Sequence, residues 1–541
     1  MKRLPLLIAF TLALSVGAPG AFASPGHGQK NSNSRFRKFD RQLRQEMNDS
    51  SHGGSQHRVI IRVKSGSDYV VYQQLLNKGV QVLHYYPKLH GFAISVKNGE
   101  LVKLDDNTDV TNVSDDAPIS ATSLLGGLLG GGDTTDTLRA DLGLSQVDAN
   151  GSFGSIVGTG IGVALIDSGL APSADVDASR ITAFYDFTQG GILATPSDGF
   201  GHGTHVAGLI GGTGALSSGQ YAGVAPGVHF VVAKVLDSNG QGDTSNVISA
   251  LEFITANKDA LGVQVVNMSL GHPPFEDAST DPLDIAVEQA VQAGLIVVTS
   301  AGNYGTNPNT GQIGYAGIAT PGNAPDAITV GAAMTQDSPQ RTDDLVAPYS
   351  SRGPTWYDGV AKPDVIAPGH NLVSDSASGS YLVDELTGLG LLKDLLGPDY
   401  IKLCGTSMAA GVTTGTVALI LQAHLAAQPA APQLSAHAVK AILEFTSSSL
   451  TDPSTGHAYD NLTQGTGEIN AAGAVALAGA IDTNAAVGNN WLMSAVTPST
   501  NIDGQTITWS QNIVWGNNIV WGNSVYSNSD AWANNIVWGN N

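Results

Sequence analysis

The spacing of hydrophobic positions changes character along the 541 residues. Near the start, "HRVIIRVK" alternates like a half-buried strand, and "YVVYQQLLNKG" has helical spacing closed by glycine. "VQVLHYY" and "HGFAISV" read as strands, "NGELVKLDD" as a short helix and "DVTNVSDD" as a last strand. That order, β-α-β-β-α-β, predicts a small α+β ferredoxin-like unit over 58–118. From 138 to 480 the pattern is different. Continuous apolar runs such as "GVALIDSG", "HFVVAKVL", "VQVVNMSLG" and "LIVVTSAGN" alternate with helical stretches such as "SNVISALEFITAN" and "LDIAVEQAVQAG". Strands apolar at every position are buried on both faces, which predicts an α/β fold, a parallel sheet with helices on both sides.

Four stretches lack either pattern. Residues 1–23 combine a basic start, a short apolar run and an Ala21-Phe22-Ala23 step, the parts of a secretory signal peptide. The run is too short to span a bilayer, so the expectation is a secreted, extracellular protein without a membrane span. Residues 24–57 are polar and basic and read as a linker, and 119–137 ("…SLLGGLLGGGDTTDT") as a flexible junction. Residues 481–541 are rich in Asn and Trp, with "NIVWGN" starting at Asn512, Asn518 and Asn535. Each copy predicts a short strand and a turn, and the aligned tryptophans suit contact with a cell surface or an insoluble polymer. The alternative is a low-complexity tail packed on its own body.

Charge sharpens this division. Residues 1–119 hold 15 Lys/Arg against 10 Asp/Glu, whereas the remainder holds 10 against 36. An acidic body behind a basic leader argues against nucleic acid as a partner and for electrostatic docking of the leader. The single cysteine, Cys404, excludes an internal disulfide.

Candidate chemistry sits where strands end. Asp167 closes "VALIDSG", Asn303 closes "VVTSAGN", and Ser407 in "CGTSMAAG" opens a helix of small residues. "GHGTHVAG" offers His202 and His205, three apart, a spacing open to either a metal site or a base. "GTGIG" precedes its strand, so it is not a dinucleotide loop. "LDSNGQGDTSN" alternates oxygen-bearing residues like a calcium loop but lacks the closing glutamate.

Together these flanks resemble the subtilisin-like serine peptidases: "VALIDSG", "GHGTHVAG" and "GTSMA" in the order Asp, His, Ser, with "SAGN", "NMSLG" and "KPDVIAPG" between. The resemblance covers about 340 residues. It implies a catalytic triad of Asp167, His202 and Ser407, with Asn303 as oxyanion donor and His205 as a packed structural residue. It implies substrate contacts at Gly240, Gln241 and Gly242 on one edge, and at Ser269, Leu270, Gly271, Ala301 and Gly302 on the pocket wall. Protein and peptide substrates follow, as does a zymogen whose own propeptide (58–118) inhibits it and is cut off between about Ile119 and Thr137. No cofactor is required for the chemistry. Structural calcium is part of what the resemblance implies, with no ligand named. After "GTSMA" the family continues with a residue and then proline, where this chain has Ala410-Gly411-Val412. Between "APG" and "CGTS" it carries a longer segment that predicts an added amphipathic helix near the site, a lid or a surface decoration. The rival readings are a binding protein on an inactive peptidase scaffold and a narrow maturation peptidase. No triad residue is missing, and the pocket segments are small and apolar rather than charged.

Overall fold

The computed structural model describes residues 36–48, 56–121, 124–125, 138–144, 155–307, 309–388, 397, 399–485, 490–515 and 518–521. The signal peptide, most of the 119–137 junction and the third NIVWGN copy lie outside them. Residues Met1–Arg37 and Lys38–Asn541 form separate units, and of the first only Phe36 and Arg37 are described.

The second unit opens with a helix, Arg41–Asn48, inside the stretch the sequence reading treats as a linker. Phe39 and Leu43 are buried, and Asp40 Oδ1 accepts the Leu43 N–H at 2.7 Å. Two apolar anchors and one cap order this stretch, too few to register against its polar composition. Strands β1 (Gln56–Val63), β2 (Gln81–Tyr86), β3 (Gly91–Lys97) and β4 (Val110–Asp115) follow, with helices Asp68–Asn77 and Asn98–Asp106 between them. They form a four-stranded sheet in the order β2-β3-β1-β4, with β1 antiparallel to both neighbours. Val59, Ile60 and Ile61 bury the centre of β1. Two short strands, β5 (Pro118–Ala121) and β6 (Leu124–Leu125), and a one-turn helix, Leu138–Asp141, lead into the main body.

The body is a nine-stranded sheet built on β7 (Gly162–Asp167), β8 (Ile181–Asp186), β9 (Ile192–Leu193), β10 (His229–Lys234), β12 (Val263–Met268), β14 (Ile296–Ser300), β15 (Ile328–Met334), β16 (Leu345–Val346) and β17 (Val365–Pro368). Between β10 and β12 in sequence comes β11 (Gln241–Asp243), and between β12 and β14 comes β13 (Leu270–Gly271); both belong to a separate small sheet. β7 is central and pairs in parallel with β10 on one side and β12 on the other. Every residue of β7 and β14 is buried, as their unbroken apolar runs require. A second small sheet joins β18 (Leu372–Asp375), β19 (Tyr400–Cys404) and β6.

The 22-residue helix Thr406–Ala427 is buried at every position from Thr406 to Leu421, so its apolar length marks a core helix. It continues unbroken through Ala410-Gly411-Val412. A Cβ on Gly411 would come within 3.3 Å of Val206, so glycine lets this helix cross close to the one carrying His202.

The sequence reading starts a separate tail at 481, but the described chain stays on the body to Gln511. A hairpin, Ser499–Ile502 with Gln505–Thr508, buries Ile502 completely. Trp509 is 3% exposed, meets Phe445 edge-on at 6.2 Å and donates through Nε1 to Thr500 Oγ1 at 2.8 Å. The first two NIVWGN copies pair antiparallel with each other, Asn512–Trp515 with Asn518–Trp521.

Candidate active site

Asp167 ends central strand β7, where a parallel sheet delivers side chains to a crevice. Its Oδ1 is 2.8 Å from His202 Nδ1 and also accepts the Ser168 N–H at 2.7 Å. His202 is the first residue of the helix His202–Gly211. The preceding Gly201 has φ +101°, a left-handed turn that glycine makes without steric cost. Nδ1–H bonded to a carboxylate makes Nε2 the lone-pair nitrogen of a neutral ring. Nε2 is buried without a hydrogen-bond partner.

A second carboxylate, which the sequence reading passed over, sets up this helix start. Asp198 Oδ1 accepts the Gly201 N–H at 2.8 Å and the Ser168 hydroxyl at 2.9 Å, while Oδ2 accepts the Thr204 N–H at 2.9 Å and its hydroxyl at 2.8 Å. Ser168 Oγ in turn accepts the Gly203 N–H at 2.9 Å. Asp198 therefore caps the helix and ties it to the end of β7. In the sequence it is one polar residue in a loop.

Ser407 occupies the first turn of the helix Thr406–Ala427, behind Gly405. Its Oγ donates to the Ser269 carbonyl at 3.0 Å, and the Ser269 hydroxyl donates to the Ser407 carbonyl at 2.9 Å. Asn267 Nδ2 holds Ser269 Oγ at 3.0 Å, and Thr414 Oγ1 holds Asn267 Oδ1 at 2.9 Å. Asn303 is fixed at its oxygen end: Oδ1 accepts the Thr406 N–H and hydroxyl, each at 3.1 Å. The amide NH₂ is then the end turned away from Thr406. Gly302 N–H donates to Thr406 Oγ1 at 3.1 Å, so the "SAGN" turn and the serine helix are locked together.

The remaining predicted positions fall into two groups. His205 is packed, with Nε2 3.1 Å from the Leu372 carbonyl, and burial, then the neighbouring His202, lower its pKa to about 3. It stays neutral and faces no acidic ligand set. Gly240, Gln241 and Gly242 form the edge around β11, while Ser269, Leu270 and Gly271 form the edge around β13. β5 lies between these edges as a third strand, antiparallel to both: Ile119 opposite Gly242, Ser120 opposite Gln241 and Gly271, Ala121 opposite Leu270. In the suspected calcium loop, Asp237 Oδ1 instead accepts the Asn239 and Gln241 N–H groups, at 2.8 and 3.0 Å, and turns the chain into β11. The inserted segment does contain a helix, Tyr381–Gly388. Tyr381 stacks on Phe200 at 5.9 Å, and the Phe200 ring is 6.4 Å from that of His202.

An aspartate-held imidazole at the end of a parallel strand and a serine in the first turn of a buried helix suit the subtilisin-like class. Residues 158–467, more than half of the chain, match the model of the subtilase family. Serine protease AprX of Bacillus subtilis (strain 168) is 37% identical over 314 residues, covering 57% of this chain and 65% of AprX. Subtilisin DY of Bacillus licheniformis is 34% identical over 312 residues, 57% of this chain and 89% of that protein. The fold matches that of fervidolysin from Fervidobacterium pennivorans, a keratinolytic enzyme related to subtilisin. That match has a TM-score of 0.55 at 21% identity, covering 78% of this chain and 61% of fervidolysin. The chain belongs to the subtilase family, and it spans just under two thirds of the length of AprX.

Proposed function

We propose that the chain is a secreted serine endopeptidase made as a self-processing zymogen, acting on proteins and peptides. The observation that carries this reading is β5, the end of the leader, lying as an added strand between β11 and β13, next to Ser269, which is hydrogen-bonded to Ser407. Backbone pairing of this kind accepts many sequences, which suits a peptidase of broad range and also an inhibitor made of the enzyme's own chain.

Asp167 holds His202 in the tautomer whose Nε2 takes a proton. Ser407 Oγ leaves the Ser269 carbonyl for Nε2, gives up its proton and attacks a peptide carbonyl, forming an acyl-enzyme and releasing the amine as His202 returns the proton. The Asn303 NH₂ and the Ser407 N–H stabilise the oxyanion. Water then repeats the sequence to free the acid.

The register also supports a place for processing. β5 ends with Ala121 opposite Leu270, one residue from Ser269, and β6 begins with Leu124 opposite Cys404, three residues before Ser407. We assign processing to the stretch between these two strands, within the 119–137 junction. The leader is held beside this segment by Asp116, whose carboxylate accepts the Ser245 N–H at 2.7 Å and hydroxyl at 2.8 Å at the start of the helix Thr244–Leu261, and by Arg58, 2.9 Å from both Asp116 and Asp243. Labelling by a fluorophosphonate probe tests the reading. Peptide mapping should find the adduct on Ser407 of the processed chain, and a processed, casein-cleaving enzyme without that adduct would contradict it.

A further inference from the structure

Away from the active site, three carboxylates meet in the interior. Asp141 ends the helix Leu138–Asp141, Asp344 precedes β16, and Glu468 follows the last residue of the family match. One oxygen of each lies within 4.8 Å of the others, and the residues are 0%, 2% and 0% exposed. None of their six carboxylate oxygens accepts a hydrogen bond. Among the described residues, Arg341 is the cation beside them. Its Nη1 is 2.7 Å from Glu468 Oε2, and its Nε is 3.3 Å from Asp141 Oδ1. Its Nε and Nη2 are committed to the Asp141 carbonyl, and Nη2 also to the Ile469 carbonyl.

Asp344 stands out: neither of its oxygens has a hydrogen-bond donor among the described residues, and one of them lies within 4.8 Å of an oxygen of each of the other two carboxylates. Buried ionised oxygens without partners are expensive, and an arrangement of this kind calls for a proton or a cation between them. Three carboxylates and one guanidinium leave a charge of −2, which one divalent ion cancels. The donors are all hard oxygens, with no imidazole or thiolate among them, and calcium takes six to eight such oxygens at about 2.3–2.6 Å. Two oxygens across such an ion are up to about 5 Å apart, the scale of the triangle seen here.

We propose that Asp141, Asp344 and Glu468 bind a calcium ion that fastens the Leu138–Asp141 helix, just downstream of the leader, to the body. The three ligands come from segments some 200 and 120 residues apart, so the ion ties the start of the body to its end. The site does not depend on the peptidase reading.

The test uses the full-length Ser407→Ala chain, which cannot digest itself. Calorimetric titration with CaCl₂ is run on this chain and on the same chain carrying Asp344→Asn, with circular dichroism to check folding. The expected result is one fewer calcium bound by the Asp344→Asn chain and a Tm that rises with calcium in the parent more than in the variant. Equal stoichiometry in the two chains would overturn the site. A Tm of the Asp344→Asn chain that exceeds the parent's regardless of calcium would also overturn it, and would assign the cluster to shared protons. Should the variant fail to fold, crystals of the parent soaked in terbium decide: an anomalous peak among the three carboxylates supports the site, and none there overturns it.

Discussion

Two segments outside the family-matched 158–467 dock on the same body by different physics. The leader end, β5, is held through its backbone between β11 and β13, with Asp116 and Arg58 beside it. The C-terminal segment is held through side chains, with Ile502, Ile507 and Trp509 sunk into the body. Main-chain pairing at an edge is sequence-tolerant and reversible once a link is cut. Deep aromatic burial is neither, because its loss leaves a cavity. On the proposed zymogen reading, the difference separates a segment built to leave from one built to stay.

Trp509→Ala should break the second half of this comparison with the largest effect. It opens a cavity beside Phe445 and removes one of the two hydrogen bonds that Thr500 Oγ1 accepts, so a loss of about 3–5 kcal/mol is expected in urea unfolding of an inactivated chain. Truncation at Ala480 should do at least as much harm, whereas truncation after Gln511 should leave cleavage of a small peptide unchanged. Asn303→Ala probes the leader half: processing and casein turnover share one oxyanion donor, so both should slow by about 10²–10³ with little change in KM. Unequal slowing would separate the two reactions.

Asp116→Ala should weaken inhibition by leader added back to processed enzyme by about 1 kcal/mol, the usual value of a helix cap, without lowering the Tm of the processed body. The smallest effect expected is a pH dependence. Burial foremost raises Asp40 to about 7, Asp115 to about 8 and Asp281 to about 7. Glu46 and Asp116 on the leader and Glu276 on the body add negative charge around them, while Arg62 brings a positive one. Carboxyls with raised values in the docked state favour docking fully below about pH 4 and lose that contribution as pH rises through 7–8. Inhibition by the leader should therefore be weaker at about pH 9 than at about pH 5, and the reverse trend would contradict this assignment.

The positions proposed as catalytic stand out in the sequence because each lies inside a dense local signature at the end of an apolar strand or the start of a helix. The structure brings Asp167 and His202 into contact, and it fixes Asn303 to the residue before Ser407. What escaped reading is held by partners remote in sequence. Asp198 reads as a loop residue until Ser168 and Thr204 close on it, and Asn267 as a strand residue until Thr414 and Ser269 bracket it. The helix within the linker and the packed start of the tail are hard to read for a related reason. Phe39, Leu43 and Trp509 are single anchors in polar stretches, and composition averages them away.

The central claim is that the leader lies in the active site as a substrate and is cut by the chain's own Ser407. N-terminal sequencing and intact mass of wild-type and Ser407→Ala proteins, purified side by side, test it most directly. The account predicts a wild-type chain beginning between β5 and β6 and a Ser407→Ala chain with the leader still attached. A Ser407→Ala chain that arrives cut at the same bond, in the absence of any added peptidase, would contradict it.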